Sequence, residues 1–338
     1  MNIALIVTIV LVLGVIFVNG WTDAPNAIAT AVSTRVLSIR FAVWMAAFMN
    51  LIGALVSTLL GAKVATTIFN MVDFSKNQSL PETAPQVALA ASLFAIVLWA
   101  TAAWYFGIPT SESHALIAGL TGSAIALGGF SAVNLNEWVK VIYGLVASVL
   151  IGFFGGILIT KLLVFCFRDV HRRTASKFFS TGQALSAAAN AYLHGAQDGQ
   201  KFMGVFMLGL TLNHMSESNA PIPLYIVVIC ALTMGLGTSV GGARIIKSVG
   251  MDMVKLETYQ GFSADLSTAI CIQFMTSLGI PVSTTHAKTT AIMGVAASKK
   301  LSSVDWSIVK EMVFAWILTF PGCGLVAFIM AKLFIAIF

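Results

Sequence analysis

The sequence predicts an all-α polytopic membrane protein made of two similar halves, and three observations carry that expectation. Of 338 residues, 58% are hydrophobic and only 9% charged, with mean hydropathy +0.92; ordinary soluble domains carry about 25% charged residues. Apolar stretches recur along the chain at 1–18, 41–62, 87–107, 115–130, 139–167, 222–241, 266–279 and 307–338. Several reach the roughly 20 residues a helix needs to cross a bilayer, while those beside the polar motifs are shorter. Third, polar motifs occur twice: GIPTSESHA at 107–115 and GIPVSTTHA at 279–287, preceded by GWTD at 20–23 and GAQD at 195–198. The two Asp residues lie 175 positions apart and the two Gly-Ile-Pro elements 172 apart, so order and spacing agree. No apolar/polar alternation in strands of about ten marks a β-barrel.

In chain order, the first segment has no basic start and no small-residue cleavage site, so it reads as a membrane helix and not a signal peptide. The polar stretch Asn70–Gln86, rich in Ser, Pro and Asn, reads as an ordered loop; with Asp73 and Glu82 against Lys76 it belongs outside. Residues 168–177 carry Arg168, Arg172, Arg173 and Lys177 against Asp169, which places that loop in the cytoplasm by the positive-inside rule. It divides a first transmembrane repeat, 1–167, from a second, 178–338. Gly61-Ala62-Lys63 and Gly242-Ala243-Arg244 are further echoes. Whether the repeats are parallel or inverted depends on an odd or even number of crossings per half, which the segments alone leave open. Cys166, Cys230, Cys271 and Cys323 are scattered through apolar runs, without the spacing of a disulfide framework or metal site. No basic, aromatic-interleaved patch points to nucleic acid.

Two motifs carry the chemistry. In 107–114 and 279–286, Gly and Pro interrupt the helix, since Pro lacks the backbone donor and clashes with the preceding turn. Ser and Thr then cap a new helix beginning near Ser113 and its counterpart. Each break therefore presents a helix N-terminus ringed by hydroxyls, a ready anion site. Irregular backbone at membrane depth survives only where it is buried in protein or lines a wet cavity. Paired interrupted segments in corresponding halves are the best sequence pointer to a transporter's binding site.

Asp23 and Asp198 each follow a Gly expected to break the helix. A charge at the centre of a membrane helix costs about 2.5–3.5 kcal/mol on insertion scales, so both acids are functional candidates. They repel an anion unless a cation neutralises them. Sodium suits Asp with nearby oxygens, here Thr22 and Asn26 beside Asp23, and Gln197 and Gln200 beside Asp198; a proton is the other neutraliser. Glu112 stands where the second copy has Thr284. Lys201 can pair with Asp198 at (i, i+3) or touch the anion. Asp265 is a coupling-ion ligand or an interfacial acid, and His114 and His286 read as packing residues.

At these residues the chain resembles the inorganic phosphate transporters of the PiT type. Their signature is a duplicated G-A-N-D-x-x-N-A element, here Gly20-Trp-Thr-Asp-Ala-Pro-Asn-Ala27 and Gly195-Ala-Gln-Asp-Gly-Gln-Lys-Phe202, with a G-[LI]-P-x-S-T-T-H element in each half. Pro281–His286 matches the latter in full, and the resemblance covers essentially the whole chain. Thr22 and Gln197 replace the usual Asn, Glu112 replaces a Thr, and Asn50 stands where some relatives have Glu.

The resemblance implies an inverted-repeat bundle with two re-entrant helical hairpins meeting at the centre, often a homodimer, and phosphate symport with sodium or protons. Carried over by motif, Ser111, Ser113, Ser283, Thr284, Thr285, Asn26 and Gln200 bind phosphate. Asp23 and Asp198 anchor sodium, with Thr22, Asn26, Gln197 and Glu112 as further oxygen donors. The expected function is sodium-coupled phosphate import by alternating access in the cell membrane, among lipids, with no cofactor beyond the transported ions. The alternative is proton-coupled transport of phosphate, metal-phosphate or sulfate on the same fold. A channel needs no buried acids beside an anion, and an enzyme would have only Ser111 with His114, whose repetition suits symmetry better than catalysis.

Overall fold

The computed structural model of the chain describes residues 3–75, 81, 83–106, 110–217, 220–240, 246–247 and 254–338. Among the described residues twelve α-helices dominate, and the only β contact is an isolated bridge between Val72 and Val133. The first half holds α1 (Ile3–Thr22), α2 (Ala29–Ser33), α3 (Ile39–Leu60), α4 (Lys63–Phe69), α5 (Ala84–Phe106), α6 (Glu112–Gly128) and α7 (Leu135–Phe167). The second holds α8 (Arg172–Leu212), α9 (Leu224–Val240), α10 (Thr258–Ser277), α11 (Thr284–Ala297) and α12 (Trp306–Ile337).

Among the described residues, six segments are long and apolar enough to cross a membrane: 5–27, 39–60, 84–106, 112–132, 135–167 and 306–337. The apolar stretches of the sequence miss α8, the longest helix. Its 41 residues extend over about 60 Å at 1.5 Å per residue. From Gln183 onward it buries Gln183, Asn190, His194, Gln197, Asp198, Gln200 and Lys201, and those inward polar residues dilute the hydropathy that would mark it. α10 coincides with the apolar stretch 266–279 only in its C-terminal part, its start being interrupted by polar residues that include the buried Asp265.

The basic segment 168–177 is helical from Arg172 onward, so the connection between halves is shorter than its composition suggests. Asn70–Gln86 likewise ends in helix, with α5 starting at Ala84, and Phe74 is buried within it. Gly242–Arg244 and Gly107–Pro109 lie outside the described residues.

Packing pairs come in matched sets. α1 lies on α9 as α3 lies on α8; α12 lies on α6 as α7 lies on α11; α1 meets α5 as α8 meets α10. In each set, exchanging the halves turns one contact into the other.

Contrary to the expectation from the sequence, Gly20 and Gly195 do not break their helices. Each sits inside a helix, α1 and α8, where the backbone of the other half passes too close for any side chain. A Cβ on Gly195 would stand 2.1 Å from the Asn50 carbonyl oxygen, and one on Gly20 2.4 Å from that of Met234. Their partners reciprocate: a Cβ on Gly53 would meet Tyr192 O at 1.9 Å, and one on Gly237 would meet Phe17 O at 2.2 Å. Small residues at membrane-helix crossings permit this approach.

Gly195→Ala must push α8 away from α3, and overpacking of this kind costs about 1–3 kcal/mol. Thermal unfolding of the purified variant in detergent should show a lower midpoint, and an unchanged midpoint would contradict the crossing.

What stops α1 is Pro25, which cannot donate to Trp21 and clashes with its carbonyl. The chain turns instead through a 3-10 segment, Ala24–Ala27. The corresponding stretch of α8 has no proline and runs on as helix. Asp23 therefore sits at a helix end, Asp198 in a helix middle.

Candidate substrate and ion site

The starts of α6 and α11 meet in the interior. Ser111 and Ser283 hold extended backbone and cap them: Ser111 Oγ accepts from His114 N (3.3 Å) and Ser283 Oγ from His286 N (3.1 Å). These are the helix starts the sequence predicted, each one residue earlier than expected. Gly279 takes φ +72°, the left-handed region open to glycine, and turns the chain from α10 toward the second start. The His114 and His286 rings touch edge to face at 4.3 Å between centroids, and His286 also lies over Trp316 at 3.7 Å. The two histidines are the packing contact between the tips.

The acids beneath the tips are linked in a crossed pattern. Asn26 Nδ2 donates to Asp23 Oδ1 (2.7 Å) and to Thr285 Oγ1 (2.9 Å), and the Thr285 hydroxyl donates to the same carboxylate oxygen. In the other half, Lys201 Nζ donates to Asp198 Oδ1 (2.6 Å), Ser113 Oγ (2.6 Å) and Val282 O (2.5 Å). Asn26 and Lys201 each stand three residues after their Asp. Thr285 and Ser113 each stand two residues after a capping serine, so each hydroxyl is presented across the divide between halves. Thr22 Oγ1 donates to Glu112 Oε1, tying the end of α1 to the first tip.

Gln200 is not among these groups. Two residues after Asp198 is about 200° round a helix, at 3.6 residues per turn, so it faces away. Its amide is fixed to α3 and α4 instead, donating to Ser57 Oγ (2.6 Å) and accepting from Val64 N (3.1 Å). Gln197 braces the second break, donating to Ile280 O (3.0 Å) and accepting from Thr276 Oγ1 (2.6 Å). Its oxygen is thus occupied, whereas the Thr284 hydroxyl has no partner among the described residues. Asp265 is neither free nor interfacial. It is fully buried and ion-paired with Lys288, accepting also from Thr30 Oγ1 (2.6 Å) and Ser186 Oγ (3.3 Å).

Sequence reasoning missed Asn19, His194 and Lys288, and gave Asn50 no role. Asn19 Nδ2 donates to Asp198 Oδ2 (3.2 Å), which also lies 3.4 Å from His194 Nε2. His194 Nδ1 contacts Asn50 Oδ1 at 2.9 Å, and Asn50 Nδ2 donates to Thr238 Oγ1 (3.1 Å). Atoms of Asp23, His194 and Asp198 lie within 4.8 Å of one another. One signal was available: His194 and Asp198 are spaced (i, i+4), on one helix face.

Around Asp23 and Glu112, four buried acceptor atoms have no hydrogen-bond partner among the described residues: Asp23 Oδ2, Glu112 Oε2, Asn19 Oδ1 and Asn26 Oδ1. Glu112 is held against this group by Thr22, the residue before Asp23. With all three carboxyls ionised and Lys201 protonated, this buried cluster carries two net negative charges. Buried charge and orphaned acceptors of this kind demand a compensating partner.

A buried polar centre between two halves of a polytopic helical bundle defines a membrane transport protein. The family profile described as the phosphate transporter family matches residues 19–327. A probable low-affinity inorganic phosphate transporter of Bacillus subtilis is 37% identical over 324 residues, 95% of each chain. A protein of the same description from Rhizobium meliloti is 38% identical over 312 residues, 92% of this chain and 90% of that one. A solved structure described as the sodium-dependent phosphate transporter superposes over the full length of both chains, with TM-score 0.86 at 21% identity, and so shares the fold. The chain belongs to the phosphate transporter family; it is a transporter, not an enzyme.

Proposed function

We propose that the protein imports inorganic phosphate by symport with sodium, through alternating access. The observation that carries this reading is the juxtaposition of two capped helix starts with buried, unpartnered carboxylate and amide oxygens directly beneath them. Helix starts favour an oxyanion. Ser111, Ser113, Ser283, Thr284 and Thr285 supply hydroxyl donors around it, with Asn26 from the first half. The unpartnered oxygens of Asp23, Glu112, Asn19 and Asn26 suit a hard monovalent cation. Bare carboxylates reject phosphate, so the anion enters only after the acids are neutralised. Coupling is then electrostatic, and reciprocal by linkage.

The two halves are proposed as inverted repeats whose α5–α6 and α10–α11 pairs form the re-entrant hairpins; the exchange of packing pairs supports the two-fold relation between the halves, and the inversion is part of the proposal. On this reading the basic connection near Arg168–Arg173 faces the cytoplasm.

The test is labelled-phosphate uptake by the purified protein in liposomes at equal pH on both sides. An inward sodium gradient should drive accumulation beyond equilibration, and replacing sodium with potassium should abolish it. Accumulation that follows an inward proton gradient and ignores sodium would overturn the sodium coupling.

A further inference from the structure

We infer that Lys201 is a tethered cation standing in for one coupling ion, so that exchangeable sodium binds on the Asp23–Glu112 side of the site alone. The inference rests on the sodium-symport reading and fixes its asymmetry.

Lys201 and Asn26 occupy equivalent places. Each follows its Asp by three residues, hydrogen-bonds that Asp, and bridges to a hydroxyl on the other half's capped helix. One bridge is a neutral amide and the other an ammonium. The consequences differ for the two acids. Asp198 is satisfied at both oxygens: Oδ1 takes the Lys201 ammonium, and Oδ2 takes Asn19 with His194 alongside. Asp23 Oδ2 has nothing, and neither has Glu112 Oε2 beside it, although both residues are almost fully buried.

The ammonium is also placed as an ion would be. Its three donors reach three oxygens, from a carboxylate, a hydroxyl and a carbonyl, at 2.5–2.6 Å. A hard cation such as calcium holds oxygen ligands at about 2.3–2.6 Å. A sodium ion at Asp198 would have to displace Lys201 into a fully buried setting without its counter-charge. Nothing comparable opposes a cation at Asp23, where two neutral amide oxygens, from Asn19 and Asn26, are unpartnered as well. Lys201 further leaves a fixed positive charge touching the first hairpin at Ser113 and the second at Val282 O, where the anion is proposed to sit.

The experiment is a count of radiolabelled sodium bound per protein at saturation, with inorganic phosphate present, on detergent-purified wild type, K201N and K201R. K201N should bind one sodium more than wild type, because Asp198 then carries the neutral amide bridge that Asp23 has and no tethered charge. K201R should bind the wild-type number. K201N at the wild-type number, or K201R gaining a sodium, would overturn the inference while leaving symport intact. Where K201N does not yield folded protein, N26K reads the same claim in reverse: it should bind one sodium fewer, and an unchanged number overturns the inference. Wild type that binds phosphate but no sodium would overturn the symport reading itself, a result read in wild type alone.

Discussion

Asp23→Asn should reduce sodium-driven phosphate uptake by about 10- to 100-fold, the equivalent of the roughly 1.5–3 kcal/mol carried by one interaction with a charged group. Asparagine keeps the size of the side chain and can still meet Asn26 and Thr285 through its oxygen. What it removes is the negative charge at Asp23 Oδ2, the unpartnered atom on which a cation depends. The amide also points two donors into a place built from acceptors. The fold is retained, because α1 ends there through Pro25 and not through the carboxylate. The sodium concentration for half-maximal uptake should rise together with the fall in rate. A variant with wild-type uptake and unchanged sodium dependence would remove Asp23 from the coupling.

The second large effect concerns stability. Lys288 and Asp265 form a fully buried ion pair joining α11 to α10, and Thr30 and Ser186 bring α2 and α8 into the same contact. Removing one partner strands a charge in the interior, which costs about 3–5 kcal/mol. Lys288→Met and Asp265→Leu should therefore each unfold at much lower temperature in detergent, or fail to accumulate as folded protein. The double variant should recover most of the loss, since an apolar pair of similar volume replaces a buried ion pair at little cost. Single variants as stable as wild type, or a double variant worse than either single, would show that the pair does not hold α11 against α10.

How far the sequence reveals this protein depends on which residues carry the information. The capped helix starts were legible because Ser111 and Ser283 follow interruptions and recur at fixed spacing. Asp23, Asp198 and Glu112 stood out because an acid between apolar stretches has few neutral explanations. α8 was missed as a buried membrane-depth helix because its inward face is polar, and windowed hydropathy averages that face with the apolar one. Gly20 and Gly195 were misread as breakers, since only the position of a neighbouring backbone distinguishes a crossing glycine from a hinge. Gln200 was misplaced by counting neighbours along the chain, whereas helical geometry puts Lys201, not Gln200, on the Asp198 face. Partners such as Asn50 with His194 or Lys288 with Asp265 depend on tertiary packing between segments far apart in sequence, which no local spacing encodes.

The most direct test of the coupling is a pair of calorimetric titrations on the purified protein: phosphate binding at low and saturating sodium, and sodium binding at zero and saturating phosphate. If cations and anion share one electrostatic site, sodium must strengthen phosphate binding by the same factor by which phosphate strengthens sodium binding. Cooperative coupling of this kind is commonly about 5- to 150-fold. Phosphate affinity that does not change with sodium would contradict the account, because the bare carboxylates of Asp23 and Glu112 could not then be what excludes the anion.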